Sequence, residues 1–235
     1  IESGMLFVIG SNLSRLSDDW LRFYQNKYFN TNKTKRLPTS STIVKRPRAN
    51  RVYSRLKLSP NGENAAFVTN IMGKYKVWVY NFESNKFKKV MKFGYKLDGL
   101  NDHTYPLLDW HPNSKMLSIL SEKKDQLYLR YYFPETKKLE SRPIHHFQKI
   151  LSMSYSSDGK KFVLSGIKKG QTDLFIYHIS KNTFENLTND IYDDYEPIFI
   201  HDDRDILFSS NRISDTLHSS PNWQDNLPLR FGRKK

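Results

Sequence analysis

Four short turn motifs recur along this chain at nearly constant spacing. They are SPNG at 59–62, HPNS at 111–114, SSDG at 156–159 and HDDR at 201–204, and successive motifs start 52, 45 and 45 residues apart. Short apolar runs of alternating polarity flank the motifs, as expected of strands on either side of a turn. Each unit therefore predicts four antiparallel strands in about 45 residues, which is the size of one β-propeller blade.

Apolar columns fix the register of these units. Two columns precede the turns: the first is Leu56, Leu108, Met153 and Ile198, and the second is Leu58, Trp110, Tyr155 and Ile200. Three columns follow the turns: Ala65, Leu117, Phe162 and Leu207; Tyr80, Tyr132 and Tyr177; and Phe87, Leu139 and Phe184. The predicted fold class is mainly β: a partial or incomplete β-propeller of four-stranded antiparallel blades, preceded by a short α-helical segment. About three and a half blades fall within residues 52–217. Because an incomplete propeller exposes a sheet edge and an apolar face, we expect further blades beyond residue 217 or a partner that covers them.

The repeated turns are defined by a small set of residues, namely Pro60, Gly62, Pro112, Asp158, Gly159, Asp202 and Asp203. Ser114 and Arg204 stand where the other two motifs have glycine. A side chain at a left-handed backbone position costs of order 1 kcal/mol, whereas glycine adopts that conformation freely. We therefore expect the turns that contain Ser114 and Arg204 to have another geometry.

Three segments lie outside the predicted blades. Residues 1–28 are predicted as a helical segment that ends a preceding domain, because apolar residues at spacings of three and four indicate one amphipathic helix starting near Ser17. Residues 29–51 are rich in Asn, Thr, Lys, Arg and Pro and are predicted as a basic linker. Residues 218–235 have no blade register and are predicted as an extended tail or separate fragment. Both ends of the sequence are expected to be cuts in a longer protein.

Two segments of the chain resemble the TolB-type, WD-like β-propeller family. They are SSDGKKFVLSG at 156–166 and LTNDIYDDYEPIFIHDDRDILFSSNR at 187–212, which have the turn, paired-acid, Pro and Phe-Ser-Ser-Asn-Arg pattern of that family. The resemblance covers about Val52 to Leu217. It implies a non-enzymatic protein-protein interaction component of a bacterial cell-envelope, secretion or transport assembly. Such a component is periplasmic or outer-membrane-associated, binds other proteins of an envelope complex and reaches the membrane through those partners.

Residues 1–28 carry a second, weaker resemblance. ESGMLFVIGSNLSRLSDDWLRFYQNKY is similar to the C-terminal helices of gluzincin-type peptidase domains, which precede a TolB-like propeller in some long envelope proteins. This resemblance implies an alternative function. The chain would then be an accessory propeller domain of a metallopeptidase or hydrolase whose catalytic part lies outside this sequence.

The sequence predicts no catalytic, cofactor-binding or metal-ligating residue, and no cofactor. It lacks the His-Glu-x-x-His string of zinc peptidases, the Gly-x-Ser-x-Gly string of α/β-hydrolases and a phosphate-binding glycine loop. It contains no cysteine, which excludes disulfides and thiolate metal sites. The acids between Asp190 and Asp205 are interpreted as turn and strand-start residues, because an intervening strand separates them too far for one calcium ion.

The charge balance points to an acidic partner. Lys and Arg number 38 against 24 Asp and Glu, which gives a formal charge of +14. The candidate partner contacts are Lys45, Arg46 and Arg48 in the linker and Trp223 and Phe231 in the tail. Nucleic acid is the less favoured partner, since the aromatic residues follow strand spacing and indicate blade packing. No small-molecule ligand is predicted.

Overall fold

The computed structural model describes residues 2–33, 35, 43–44, 50–94 and 103–212, and the chain divides into two compact units, 1–47 and 48–235. The described part of the first unit contains two helices, α1 (Glu2–Ile9) and α2 (Leu13–Lys33). Within the described residues, no helix combines the length and the apolar character needed to cross a membrane. The predicted division into a helical segment, linker, blades and tail stays a prediction.

Helix α2 begins earlier than the sequence pattern suggested. The expected start near Ser17 is wrong, because Asn12 caps the helix: its side-chain Oδ1 accepts a hydrogen bond of 2.8 Å from the backbone amide of Arg15. An Asn side chain in this place satisfies an amide that has no partner inside the helix. The helix also continues to Lys33, past the predicted limit at residue 28.

The second unit contains fourteen described strands in four antiparallel sheets. The first sheet comprises β1 (Val52–Leu58), β2 (Asn64–Ile71), β3 (Lys74–Asn81) and β4 (Lys86–Phe93). The second comprises β5 (Leu107–Trp110), β6 (Leu117–Lys123), β7 (Gln126–Phe133) and β8 (Lys138–Ile144). The third comprises β9 (Lys149–Tyr155), β10 (Lys161–Lys168), β11 (Gln171–His178) and β12 (Thr183–Asn186). The fourth is a pair, β13 (Asp194–Ile200) and β14 (Asp205–Ser210).

These sheets are the predicted blades, three complete and one half. In each sheet the strand order follows the chain, and the first strands β1, β5, β9 and β13 contact one another in succession. They therefore form the inner wall of the propeller, while β4, β8 and β12 are the outer strands. The cross-strand pairs repeat the predicted columns. The second and third strands of the blades pair Ala65 with Tyr80, Leu117 with Tyr132 and Phe162 with Tyr177. The third and fourth strands pair the same tyrosines with Phe87, Leu139 and Phe184.

The hydrophobic core lies between the faces of adjacent blades. One cluster joins blades one and two around Val77, Trp110 and Ile119, and a larger one joins blades two and three around Leu129 and Phe162. Burial of these side chains contributes about 25 cal/mol for each Å² of apolar surface removed from water. Stacking of neighbouring blades is therefore the main source of stability in this unit.

The two end blades leave part of the same columns exposed. Leu56 is 65% exposed in blade one and Ile198 is 45% exposed in blade four, whereas Leu108 and Met153 in the same column are buried between blades. Leu207 is 57% exposed, although its counterparts after the other turns are buried. Among the described residues no further blade covers these two faces, in agreement with the incomplete propeller that the sequence predicted.

The four turns share one backbone hydrogen bond but differ in conformation. The amide of the fourth residue donates to the carbonyl of the first, at 2.8, 2.8, 2.9 and 3.3 Å in chain order. Ser114 is left-handed with φ of 63°, close to the 74° of Gly62 and the 70° of Gly159, so the expected change of geometry is wrong there. The turn that ends at Arg204 does differ. Its left-handed residues are His201, Asp202 and Asp203, with φ of 50°, 56° and 65°.

Contacts between successive turns link the blades. Ser114 Oγ accepts a hydrogen bond of 3.0 Å from the backbone amide of Asn61 in the preceding turn. The carboxylate of Asp203 accepts bonds of 2.8 and 2.9 Å from the amide of Ser157. At the middle junction a Cβ on Gly159 would lie 2.1 Å from Nε2 of His111, so only glycine leaves room for that ring. Pro60, Pro112 and Asp158 lie in these turns, and Asp158 Oδ1 accepts bonds from Ser156 Oγ and the Lys160 amide.

Candidate protein-interaction groove

A groove lies between blades one and two. It has a volume of about 560 Å³. Blade one contributes the turn around Asn61 and strand β4, and blade two contributes the turn around Ser114 and the loop after β7. The hydrogen bond between Asn61 and Ser114 therefore joins the two blades within the groove lining.

Four lysines give the groove its charge. Lys86 and Lys88 come from β4, Lys115 from the turn of blade two and Lys137 from the loop after β7. Glu63 and Glu135 also line the groove, so cations outnumber acids by four to two. All four lysines are exposed, and none forms an ion pair with another described residue. Their ammonium groups are therefore available to an acidic ligand.

The groove lysines of β4 lie on the face of blade one that packs against blade two. Lys88 pairs with Val79 and Lys86 with Asn81 across β3 and β4, and Val79 belongs to the core cluster between the two blades. The Phe87 ring lies on the opposite face of β4, with its centroid 4.8 Å from that of Tyr80. Tyr132 and Pro134 supply the apolar part of the groove lining.

A second group of cations lies on blade one, outside the groove lining. It comprises Arg51, Lys74, Lys76, Lys89 and Lys92, and we call it the cationic patch. Burial and then repulsion by the other four cations lower the pKa of Lys76. The Lys76 ammonium also lies 6.0 Å from the ring centroid of Trp78. Blade one therefore carries a concentrated positive potential on and around its outer strands.

A smaller cavity, of about 190 Å³, opens on the inner wall of the propeller. Arg55 and Glu196 line it, and both have a left-handed backbone, with φ of 56° and 50°. Here the cations have partners within the protein: Arg55 donates to the Thr104 carbonyl at 3.2 Å, and Lys57 pairs with Asp109 at 3.1 Å. The groove is therefore larger and its charges are more available.

The contact residues predicted from the sequence cannot be placed in this geometry. Lys45, Arg46, Arg48, Trp223 and Phe231 lie outside the described residues, so their role stays a prediction. The groove lysines were not among the contact residues predicted from the sequence. The signal that could have revealed them is KFKKVMKF, the sequence of β4, which has four lysines and no acid in an outer strand.

The acids around 190–205 include a buried network that the sequence analysis also missed. Arg212 forms ion pairs with Asp190 and Asp194, and the exposed fractions of all three side chains are below a tenth. Burial alone would lower the pKa of the Arg212 guanidinium, but its bonds to the two carboxylates raise it above the ordinary value. Asp190 also accepts a bond of 2.8 Å from the Tyr192 amide, as in an Asx-turn. These acids therefore join blade four to blade three as well as shaping turns.

Comparison with known proteins shows the fold. A structure of TolB from Acinetobacter baumannii matches with a TM-score of 0.54 and 13% identity, over 67% of this chain and 37% of that one. A candidate dipeptidyl aminopeptidase IV from Bacteroides ovatus matches with a TM-score of 0.53 and 14% identity, over 73% and 33%. Kuenenia stuttgartiensis hydrazine synthase matches with a TM-score of 0.50 and 15% identity, over 65% and 48%.

The second unit has a TolB-like β-propeller fold. No protein-family model matches the sequence, and no curated protein matches it either. The chain spans 37% of the TolB structure, and identities of this size show a shared fold without a shared activity. The resemblance of residues 1–28 to a gluzincin-type peptidase domain finds no support in these comparisons.

Proposed function

We propose that this propeller is a non-enzymatic protein-binding module whose basic groove holds an acidic segment of a partner protein. The observation that carries the proposal is the set of four exposed lysines, without ion-pair partners among the described residues, that line a 560 Å³ groove. A groove of this volume accommodates several side chains of an extended segment. The positive potential of the cationic patch on the same blade attracts an acidic partner to blade one.

The contacts suit recognition more than very tight binding. Exposed ion pairs contribute about 0.2–1 kcal/mol each, so four lysines set orientation and association rate as much as affinity. Tyr132 and Pro134 supply apolar surface in the groove lining. We therefore expect the bound segment to alternate acidic and apolar residues, with an apolar side chain near Pro134 and carboxylates near Lys86 and Lys88.

The likeness to TolB supports a place in a bacterial envelope. On that likeness we propose that the module is a component of a cell-envelope, secretion or transport assembly, in the periplasm or at the outer membrane. Its membrane association then comes through its protein partners. Lys45, Arg46 and Arg48 in the linker, and Trp223 and Phe231 in the tail, are proposed as additional contacts to the same assembly.

A second candidate function has one specific observation in its favour. The match to a candidate dipeptidyl aminopeptidase IV supports an accessory propeller domain that serves a hydrolase. In that case the groove would hold part of a peptide substrate rather than a stable partner. Peptidase activity that co-purifies with the intact protein, and that acidic peptides inhibit through the groove, would favour this function over the first.

Site-specific crosslinking tests the protein-binding proposal. A photoreactive phenylalanine replaces Glu135, an exposed residue of the groove lining, and in a matched variant it replaces Glu185, an exposed residue of β12 in blade three. We expect the Glu135 variant to crosslink in cells to a protein segment rich in Asp and Glu, and the Glu185 variant to give no such product. Equal products from both positions, or crosslinks from Glu135 to nucleic acid, would overturn the proposal.

A further inference from the structure

A cavity of about 300 Å³ lies at one edge of blade three, away from the groove. It forms where β10 turns into β11 and where the chain leaves β12 for blade four. Asp173 and Asp190, each 4% exposed, lie at its base. The side chains of Gln171, Asn186 and Asn189 complete the polar lining. We call this cavity the Asp173 pocket.

Asp173 has a carboxylate oxygen with no donor. Contacts from the Asn186 side chain and the Asp190 backbone amide reach the carboxylate, but its Oδ1 has no hydrogen-bond partner among the described residues. Nearly all buried polar atoms in proteins have such a partner, because an unsatisfied one keeps the full cost of leaving water. The pocket therefore lacks a hydrogen-bond donor at a defined position.

The pocket also has an excess of negative charge. Asp173, Asp190 and Asp194 lie close enough to repel one another, and Arg212 is bonded to Asp190 and Asp194. Burial, and then repulsion by the other two carboxylates, raises the pKa of Asp173 to about 6. Three carboxylates thus lie near a single guanidinium. A cation beside Asp173 would supply the missing hydrogen-bond donor and would also neutralise the surplus negative charge.

We propose that the Asp173 pocket is a binding subsite for a primary ammonium group. An ammonium has three donors and no acceptor, so it can donate to Asp173 Oδ1 and offer two further donors to the polar lining. A neutral hydroxyl would supply the donor but leave the charge uncompensated. A metal ion is the poorer fit, because no cluster of three or more His, Cys, Asp or Glu residues in the described part of the chain is placed to hold one.

Lys168 and Lys169 line the outer rim of the pocket and oppose this binding. Both are exposed, so solvent screens their repulsion, and neither forms an ion pair with Asp173. They restrict entry to a single compact cation rather than blocking it. Removal of the Lys168 charge in the K168Q variant should therefore strengthen ammonium binding about two- to fivefold.

The test uses NMR titration of the ¹⁵N-labelled 235-residue chain at pH 7.5. The probes are n-butylammonium, a free amine, and Nα-acetyl-lysine methylamide, which presents the same group as a peptide lysine. We expect both probes to shift the side-chain amide signals of Gln171 and Asn186. The probe that binds with the higher affinity indicates whether the natural ligand is a free amine or a lysine side chain of a protein. Asp173→Asn should weaken binding at least about tenfold, because a charged hydrogen bond is lost.

Asp125→Asn is the matched control, since Asp125 is exposed in a blade-two turn with φ of 58°, a conformation that asparagine also adopts. The affinity of the Asp125→Asn variant for the probes should stay within about twofold of the affinity of the native protein. Binding should also weaken below pH 6, where Asp173 is protonated. The other charged groups that face it are Asp190 and Asp194, which pair with Arg212, and the rim lysines. Unchanged affinity in Asp173→Asn, absence of any shift, or a response to calcium without one to ammonium would overturn the proposal.

Discussion

The hydroxyl of Ser114 accepts a 3.0 Å hydrogen bond from the backbone amide of Asn61, and this bond joins the turn of blade two to the turn of blade one. Ser114 holds a left-handed backbone that glycine holds in two of the other turns. The conformational cost of a side chain there is about 1 kcal/mol, and the bond between blades offsets it. The serine that replaces glycine in the turn of blade two thus has a structural role, which is the hydrogen bond to blade one.

Two substitutions separate these opposing effects. Ser114→Ala keeps the strain and loses the bond, so we expect the free energy of unfolding to fall by about 1 kcal/mol. Ser114→Gly loses the bond but also the strain, and its stability should stay close to that of the native protein. Urea unfolding measures both; an alanine variant as stable as the native protein would contradict the role of the hydroxyl.

The third turn gives a sharper contrast between two glycines. Gly159→Ala places a Cβ against the His111 ring as well as in a left-handed conformation, so we expect a loss of at least about 2 kcal/mol in unfolding free energy. Gly62→Ala meets no atom within 4 Å and should lose only about 1 kcal/mol, the backbone cost.

A second substitution at His111 tests the cause of that difference. His111→Ala removes the ring, so Gly159→Ala should cost no more in that background than Gly62→Ala costs in the native protein. A thermodynamic cycle from urea unfolding of the four proteins measures the coupling. Costs that simply add, with no coupling between His111 and Gly159, would contradict the proposed contact.

The sequence predicted the blades and the register but not the sites between blades. Turn spacing and period-two columns are local signals, so the pairs of Leu117 with Tyr132 and Phe162 with Tyr177 could be placed in advance. The groove needs Lys86 and Lys115 to meet across two blades, and no local pattern encodes that approach. For the same reason, Arg212 could be read as part of a strand motif but not as the partner of Asp190.

Arg212 should be essential to the junction between blades three and four. Arg212→Gln leaves Asp190 and Asp194 buried without a cation, which typically costs about 3–5 kcal/mol. Arg204→Gln changes an exposed arginine nearby and should cost less than about 1 kcal/mol. Thermal unfolding followed by circular dichroism compares the two variants, and equal melting temperatures would contradict a structural role for the buried network.

Asp173 should make stability depend on pH in a defined direction. Its pKa is raised in the folded state to about 6, so the fold favours the protonated form and loses stability as pH rises from about 4 to 6. Asp173→Asn does not titrate, and its stability relative to the native protein should therefore increase over this interval, by up to about 3 kcal/mol, and stay constant above it. Urea unfolding at several pH values measures the difference. A constant difference between pH 4 and 7 would show that Asp173 has an ordinary pKa.

Charge reversal in the groove tests the proposed function most directly. The measurement is the fluorescence anisotropy of a labelled peptide of alternating Glu and Leu, titrated with the native protein, with Lys86→Glu/Lys88→Glu, and with Lys160→Glu/Lys161→Glu in blade three as the control of equal net charge. We expect the groove variant to bind at least about tenfold more weakly than the native protein, because two favourable charge contacts become repulsive, while the control stays within about threefold. Equal weakening in the two variants would mean that net charge alone attracts the peptide, and it would contradict a binding site in the groove.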